Sequence, residues 1–134
     1  MPTYLLDTHI YLWWRLGTGE LTAAQHKALD YAEANGETLA ISAITIWEIA
    51  MLVSQGKLEV NLIPTHVLLK QIEKDPGVEI LPLSADVCAE SVNLPSGFHK
   101  DPADRIIVAT ARIHGLRLLT VDQRIIDWGK VALI

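Results

Sequence analysis

The sequence predicts an α/β protein, a three-layer α/β/α sandwich around a central, mostly parallel sheet. Short apolar runs alternate along the chain with longer segments that carry helix start and stop signals. The apolar runs are continuous and do not alternate with polar residues, which is typical of strands buried on both faces of a parallel sheet. At 134 residues, we expect one domain over residues 1–134, because the chain is too short for two.

The first half of the chain is predicted to form two strands and three helices. In chain order these are a strand at residues 4–6, a helix at 9–16, a helix at 22–35, a strand at 38–41 and a helix at 42–54. The first helix is apolar on most sides, as expected of a covered element. Thr22 and Ser42 are favourable N-caps for the next two helices, which Gly36 and Gly56 end.

The second half continues the alternation. Its elements are a helix at residues 64–74, a strand at 78–83, a helix at 84–93, a helix at 101–114, a strand at 116–121 and a fifth strand at 131–134. Pro64 opens the first of these helices and Ser84 caps the second. Asp101 followed by proline begins the third, and Gly115 ends it.

Composition limits the classes of function. The net charge of -5 gives no general attraction to a polyanion, so such a substrate would require a local basic patch or bound cations. The single cysteine, Cys88, excludes an internal disulfide framework and a multi-cysteine zinc site, and its apolar neighbours predict that it is buried. The N-terminus carries no signal-peptide pattern and no apolar run is long enough to span a bilayer, so we expect a cytoplasmic protein.

Acidic side chains follow two of the predicted strands. Asp7 comes directly after the first strand and Asp122 directly after the fourth. Ligands of open parallel sheets bind beyond the carboxyl ends of the strands, so acids at neighbouring strand ends can share one ion. Each acid also has a structural explanation, since Asp7 can cap the helix that starts at Thr8 and Asp122 can cap a turn before Ile125. For either acid alone, capping is the stronger explanation.

Two further acids lie at the start of the long helix. Asp101, the proline after it and Asp104 three residues on form a favourable helix N-terminus. Asp101 is therefore interpreted as the N-cap. Asp104 can point either back at the cap or out into a cleft, and the i,i+3 spacing lets both acids reach a common site.

Glu48 is the most informative acid. It lies in the middle of the helix at residues 42–54, in a segment that is apolar nearly all round and is therefore expected to be buried. It is too far from the helix start to act as a cap, and its neighbours on the same face include no basic residue. A buried carboxylate is costly unless it is paired, hydrogen-bonded or bound to a metal. A functional role is favoured over a distant salt bridge or a protonated glutamate.

The acids that are candidates for one site are Asp7, Glu48, Asp104 and Asp122. If they converge, their charges raise one another's pKa values unless a cation is bound. An all-oxygen site suits Mg²⁺ or Mn²⁺, and water bound to such an ion can attack a phosphodiester. Lys100, Arg105 and Arg112 flank or follow Asp104 and are candidates for phosphate contacts, although a solvated helix face explains them nearly as well.

Four segments that contain these acids resemble the motifs of PIN-domain ribonucleases, in particular the VapC-type toxins of bacterial toxin–antitoxin pairs. They occur in the family's order and span nearly the whole chain, at residues 5–9, 42–49, 99–105 and 119–122. The resemblance implies that the four acids bind one or two Mg²⁺ or Mn²⁺ ions and that bound water hydrolyses RNA, leaving a 5′-phosphate and a 3′-hydroxyl. It implies supporting roles for Thr120, Thr8 and Asp101. It also implies a homodimer inhibited by a small antitoxin.

Two alternatives belong to other classes. A receiver-type signalling domain needs an acid pair after the first strand and a phosphorylatable aspartate after the third, whereas Asp7 stands alone and residues 81–84 contain no acid. A PIN-like module that binds RNA or a protein partner without cutting is expected to have lost one of the four acids, and this chain has all of them.

Overall fold

The computed structural model describes residues 2–59 and 62–134 and is built on a four-stranded parallel sheet. The strands are β1 (Tyr4–Leu6), β2 (Leu39–Ser42), β3 (Val78–Leu81) and β4 (Arg117–Leu119). Their order in the sheet is β3-β2-β1-β4. The carboxyl ends of β1 and β4 are therefore adjacent, with Leu6 paired to Leu119. This adjacency is what brings the acids after the two strands to one edge of the sheet.

Seven helices surround the sheet within the described residues. They are α1 (Thr8–Leu16), α2 (Ala23–Ala34), α3 (Ala43–Ser54), α4 (Thr65–Glu73), α5 (Ala85–Val92), α6 (Pro102–His114) and α7 (Gln123–Trp128). The side chains of Thr22, Ser42, Ser84 and Asp101 accept backbone N–H groups at the starts of α2, α3, α5 and α6, as the sequence predicts. None of these helices combines the length and apolarity needed to cross a bilayer.

Two hydrophobic clusters cover the two faces of the sheet. Within β1, Leu5 belongs to the cluster that contains Ile107 of α6, whereas Leu6 belongs to the cluster that contains Ile10 of α1 and Ile49 of α3. Successive residues of a strand point to opposite faces, so both clusters are fed by the same three-residue strand. The predicted α/β/α sandwich is confirmed.

The structure corrects the prediction for the C-terminal segment. Residues 131–134 form a single bridge, between Leu133 and Leu118, and not a fifth strand. Val131 lies in a bend, and the segment meets β4 at Leu118, whose N–H donates to the carbonyl of Ala132 at 2.8 Å and whose carbonyl accepts the N–H of Ile134 at 3.3 Å. The segment before it, which was read as a turn after Asp122, is the helix α7.

Two predictions of burial are also wrong. Cys88 is exposed, because the buried side of α5 is formed by Val87 and Ser91, and one residue along a helix is a rotation of about 100°. Helix α3 is not buried all round: Trp47 is 56% exposed, so an apolar composition does not mean here that the helix is covered on every side.

Candidate active site

A cavity of about 350 Å³ opens at the carboxyl-terminal edge of the sheet. Its lining consists of Asp7, His9, Trp13, Glu48, Asp101, Asp104, Val121, Asp122 and Arg124. All four acids predicted for the site therefore line one cavity, together with the predicted N-cap of α6. They come from the ends of β1 and β4 and from helices α3 and α6, so that elements distant in sequence meet at one point.

Asp7 has both of the roles that its sequence position left open. Its Oδ1 accepts the backbone N–H of Thr8 at 2.8 Å and so caps α1, while its Oδ2 accepts the hydroxyl of Thr120 at 2.7 Å. The side chain is buried beside the carboxylates of the cavity. Burial raises the pKa of Asp7, the hydrogen bond from Thr120 opposes this, and the charge of Asp104 raises it further.

Thr120 connects the two strand ends. Its hydroxyl donates to Asp7 and accepts the backbone N–H of Asp122 at 3.0 Å. Its own backbone carbonyl accepts the amide of Gln25, a buried residue of α2, at 2.9 Å. The predicted supporting position of Thr120 thus corresponds to contacts with two of the four acids.

Glu48 reaches the cavity from α3, and a threonine hydroxyl holds its carboxylate. Thr8 donates to Oε1 of Glu48 at 2.6 Å, and its oxygen lies 2.9 Å from that of Thr45. Since Thr8 has one hydroxyl proton, Thr45 is the donor in the second contact. Burial raises the pKa of Glu48 to about 7, against the hydrogen bond from Thr8, and the charges of Asp7 and Asp104 add to the rise.

Asp104 and Asp122 contact cationic or titratable groups instead of threonines. Oδ2 of Asp104 lies 2.7 Å from Nε2 of His99 and 3.2 Å from Nη2 of Arg124. The same Nη2 donates to Oδ2 of Asp122 at 3.0 Å, and the Asp122 side chain caps α7 by accepting the N–H of Arg124. Asp101 accepts the N–H of Asp104 at 3.1 Å, as expected of an N-cap.

The pKa values of this pair move in opposite directions. Burial raises the pKa of Asp104, with the hydrogen bond from His99 opposing it and the charges of Asp101 and Asp122 adding to it. Burial also acts to raise the pKa of Asp122, but hydrogen bonds and charge from Arg124 outweigh it, and the net shift is downward. Asp122 is therefore the acid that the chain itself already neutralises.

The basic residues predicted to bind RNA do not line this cavity. Arg105 donates to the carbonyls of Ser91 at 2.8 Å and His99 at 3.1 Å, and so fixes the loop before α6. Arg112, in the last turn of α6, contacts Glu90 and the carbonyl of Lys130. Lys100 is exposed on the loop that precedes α6.

Two residues whose side chains contact the predicted acids are not among the residues that the sequence pointed to. Arg124 lies two positions after Asp122, at the start of helix α7, where the sequence predicts a turn. His99 lies five positions before Asp104 and reaches it because the chain folds back at the start of α6. For both, the usable signal was a cationic or imidazole side chain within a few residues of a candidate acid.

The donor set fits a hard divalent cation. Five carboxylates line the cavity, and three of them, Asp7, Glu48 and Asp104, have pKa values raised by burial first and then by the charges of neighbouring acids. A bound cation would favour the ionised forms and offset the repulsion between them, and carboxylate oxygens are the ligands that Mg²⁺ and Mn²⁺ accept. Two of the carboxylates also lie near an imidazole. The ligand atoms of this group, His99, Asp104 and Asp122, are all within 4.8 Å of one another.

This combination of a parallel α/β/α sheet and acids at adjacent strand ends agrees with the comparison to known families. The family model of the PIN domain matches residues 4–131, and the chain belongs to the PIN domain family. It is 38% identical to Ribonuclease VapC22 of Mycobacterium tuberculosis over 125 residues, which is 93% of this chain and 91% of that protein. The resemblance inferred from the four motifs is confirmed.

Solved structures agree with this assignment. A toxin–antitoxin complex from Klebsiella pneumoniae matches with a TM-score of 0.64 and 25% identity, over 98% of this chain and 96% of that one. VapBC2 from Rickettsia felis, bound to a DNA fragment from its promoter, matches with a TM-score of 0.71 and 20% identity, over 98% and 97% of the two chains. The second match bears on the fold alone.

Proposed function

We propose that this chain is a metal-dependent endoribonuclease that hydrolyses RNA phosphodiester bonds and acts as the toxin of a toxin–antitoxin pair. The observation that carries the proposal is the convergence of four carboxylates at one cavity. A structural role explains the sequence positions of Asp7, Asp104 and Asp122 but not that of Glu48. It does not explain why the four acids should meet where the pKa values of Asp7, Glu48 and Asp104 are raised. The ribonuclease name of the relative at 38% identity supports the same activity.

In this proposal Asp7, Glu48, Asp104 and Asp122 hold Mg²⁺ or Mn²⁺, which when bound supplies an activated water and neutralises phosphate charge. The chain's own residues set the geometry. Thr8 fixes Glu48, Thr120 fixes Asp7 and Asp101 caps the helix that carries Asp104, so the carboxylates are held before substrate binds.

Arg124 is the residue that we place on an RNA phosphate. It lines the cavity and its side chain is 59% exposed, so it can turn from the carboxylates to a substrate anion. Arg105 and Arg112 keep their contacts to backbone carbonyls, and Lys100 remains a candidate for a more distant phosphate.

The proposed protein partner comes from the likeness to a toxin–antitoxin complex. We propose a small antitoxin protein as the inhibitor, because one matching structure is a toxin–antitoxin complex. We further propose that the chain acts as one domain, assembles as a homodimer and works in the cytoplasm, where its RNA substrate is found.

The test is cleavage of total RNA by the purified protein with Mg²⁺, with Mn²⁺ and with EDTA. The variant Asp7→Asn keeps the size of the side chain and a cap for α1 while removing one negative ligand, and Asp30→Asn, an exposed acid of α2, is the matched control. We expect cleavage by the wild type and by Asp30→Asn in Mg²⁺, and none by Asp7→Asn or in EDTA. Cleavage that survives EDTA or Asp7→Asn would overturn the mechanism, and RNA binding without cleavage by the wild type would favour a non-catalytic module.

A further inference from the structure

His99 lies beside the cavity lining, in contact with Asp104, and the four proposed carboxylate ligands leave this imidazole without a role. Its Nε2 lies 2.7 Å from Oδ2 of Asp104, and the ligand atoms of His99, Asp104 and Asp122 are all within 4.8 Å of one another. In an octahedral shell with metal–ligand distances of about 2.1 Å, neighbouring ligand atoms are about 3 Å apart and opposite ones about 4 Å apart. These three groups are therefore spaced for a common ion with small adjustments.

The chain holds the imidazole in this orientation from behind. The ring of His99 stacks on that of Phe98, with centroids 4.4 Å apart and planes at 24°. Phe98 is buried and meets the edge of Trp128, with centroids 4.9 Å apart. Arg105 donates to the carbonyl of His99 at 3.1 Å and lies over the Phe98 ring. A side chain fixed in this way loses little further entropy on binding an ion.

The guanidinium of Arg124 already lies between the carboxylates of Asp104 and Asp122. Nη2 of Arg124 is 3.2 Å from Asp104 and 3.0 Å from Asp122, so the guanidinium bridges two of the three groups. Its side chain is 59% exposed, whereas those of His99 and Asp104 are 19% and 12% exposed. A divalent ion can therefore replace the guanidinium, which moves into solvent while the other two groups stay in place.

We propose that His99 binds the divalent ion of this site directly through Nε2, beside Asp104 and Asp122, and that this nitrogen makes the site prefer Mn²⁺ to Mg²⁺. Binding takes place in the neutral tautomer that carries its proton on Nδ1, and the bond to the ion replaces the hydrogen bond from Nε2 to Asp104. The inference rests on the metal-dependent activity proposed above and identifies one further ligand. Mg²⁺ is bound mainly through oxygen atoms and retains water, whereas imidazole is an acceptable ligand for transition-metal ions. The competing role is a hydrogen bond from His99 to Asp104 that orients the carboxylate without touching the metal.

Pulsed electron paramagnetic resonance of the Mn²⁺-loaded protein, without RNA, separates the two roles, because a directly bound imidazole couples its ¹⁴N nucleus to the manganese spin. We expect this coupling in the wild type, and its replacement by a ¹⁵N pattern when the histidines are ¹⁵N-labelled. The His99→Asn variant should lose it, while His9→Asn, which alters a histidine that does line the cavity, should keep it. Calorimetric titration should show that His99→Asn weakens Mn²⁺ binding much more than Mg²⁺ binding, because the nitrogen ligand favours the transition-metal ion, whereas loss of an outer hydrogen bond would weaken the binding of both ions about equally.

The outcomes are distinct from those of the proposed function. A wild type that binds Mn²⁺ and cleaves RNA, but shows no nitrogen coupling, overturns this inference and leaves the ribonuclease mechanism standing. Coupling that survives His99→Asn, or is lost in His9→Asn, also overturns it. A protein that binds no divalent ion overturns both. If His99→Asn does not fold, the labelled wild type still shows whether a histidine is bound, and coupling that persists in His9→Asn excludes the histidine of the cavity lining.

Discussion

Replacement of Glu48 by glutamine is expected to stabilise the metal-free protein at pH 8 while removing its ribonuclease activity. Glutamine keeps the shape of the side chain and an Oε1 that can accept the hydroxyl of Thr8, at 2.6 Å in the wild type. It removes a charge that sits beside Asp7 and Asp104, both of which contribute to raising the pKa of Glu48. The substitution therefore separates the effect of the carboxylate charge on the free energy of unfolding from the role of the carboxylate in RNA cleavage.

The magnitude follows from the titration of Glu48. Folding raises its pKa from the ordinary value of 4.5 to about 7, so the folded state binds this proton more tightly than the unfolded chain. The contribution of this bound proton to the stability of the folded state is complete below pH 4.5 and is lost as the pH rises through 7. The full rise corresponds to an upper limit of about 3 kcal/mol. Because solvent reaches part of the side chain, we expect about 1–2 kcal/mol of that at pH 8.

Thermal unfolding in EDTA, followed by circular dichroism at pH 5 and pH 8, measures this difference. At pH 8 the midpoint of Glu48→Gln should lie about 3–8 °C above that of the wild type, and at pH 5 the two should nearly coincide. Glu73→Gln, at an exposed position of α4, should show neither effect. A Glu48→Gln midpoint at or below the wild-type value at pH 8 would refute the account of Glu48 as an unfavourably placed charge.

Three further predictions concern other parts of the site and the surface. Saturating Mg²⁺ or Mn²⁺ should raise the midpoint of thermal unfolding, and the increase should be larger at pH 8 than at pH 5.5. The reason is that carboxylates with raised pKa values bind protons at the lower pH, and these protons compete with the ion. Equal increases at the two pH values would contradict this prediction. Thr120→Val should lower the free energy of unfolding, measured by urea titration, by about 1–3 kcal/mol and should reduce RNA cleavage, because Asp7 Oδ2 and the N–H of Asp122 lose their hydrogen-bond partner. Thr120→Ser keeps the hydroxyl and should retain most of the stability and most of the cleavage activity. Cys88, being exposed, should react with a thiol reagent in the native protein as completely as in urea, and protection in the native state would show that α5 is covered in solution.

Local signals in the sequence were sufficient to predict most of the fold. Capping residues act through hydrogen bonds to N–H groups two or three positions away, so Thr22, Ser42 and Ser84 could be recognised without knowledge of the tertiary structure. The failed fifth strand lies in a segment whose pairing with β4 is the single bridge between Leu118 and Leu133, and local propensity does not specify how far such a pairing extends.

The acids show why sequence reasoning left their roles open. For Asp7 the sequence offers two roles, a helix cap and a metal ligand, as alternatives. A carboxylate has two oxygens, however, and here Oδ1 caps α1 while Oδ2 accepts the hydroxyl hydrogen bond of Thr120. For Glu48 the expectation of a costly carboxylate agrees with its raised pKa, although helix α3 is partly exposed. The cost arises from partial burial and from the charges of Asp7, Asp104 and Asp101, which only the folded chain brings near.

The carboxylates on the two sides of the cavity have different partners, and a divalent ion would therefore have to displace a different group on each side. Asp7 and Glu48 accept hydroxyl hydrogen bonds from threonines, which carry no charge, and both have raised pKa values. Asp122 accepts a guanidinium, and its pKa is lowered. If the proposed ion binds between the two sides, it would compete with protons for the carboxylates of the first and with the Arg124 guanidinium for those of the second. Metal binding would then be coupled to the loss of protons and to the release of the arginine that we place on phosphate, since each requires the same carboxylate oxygens.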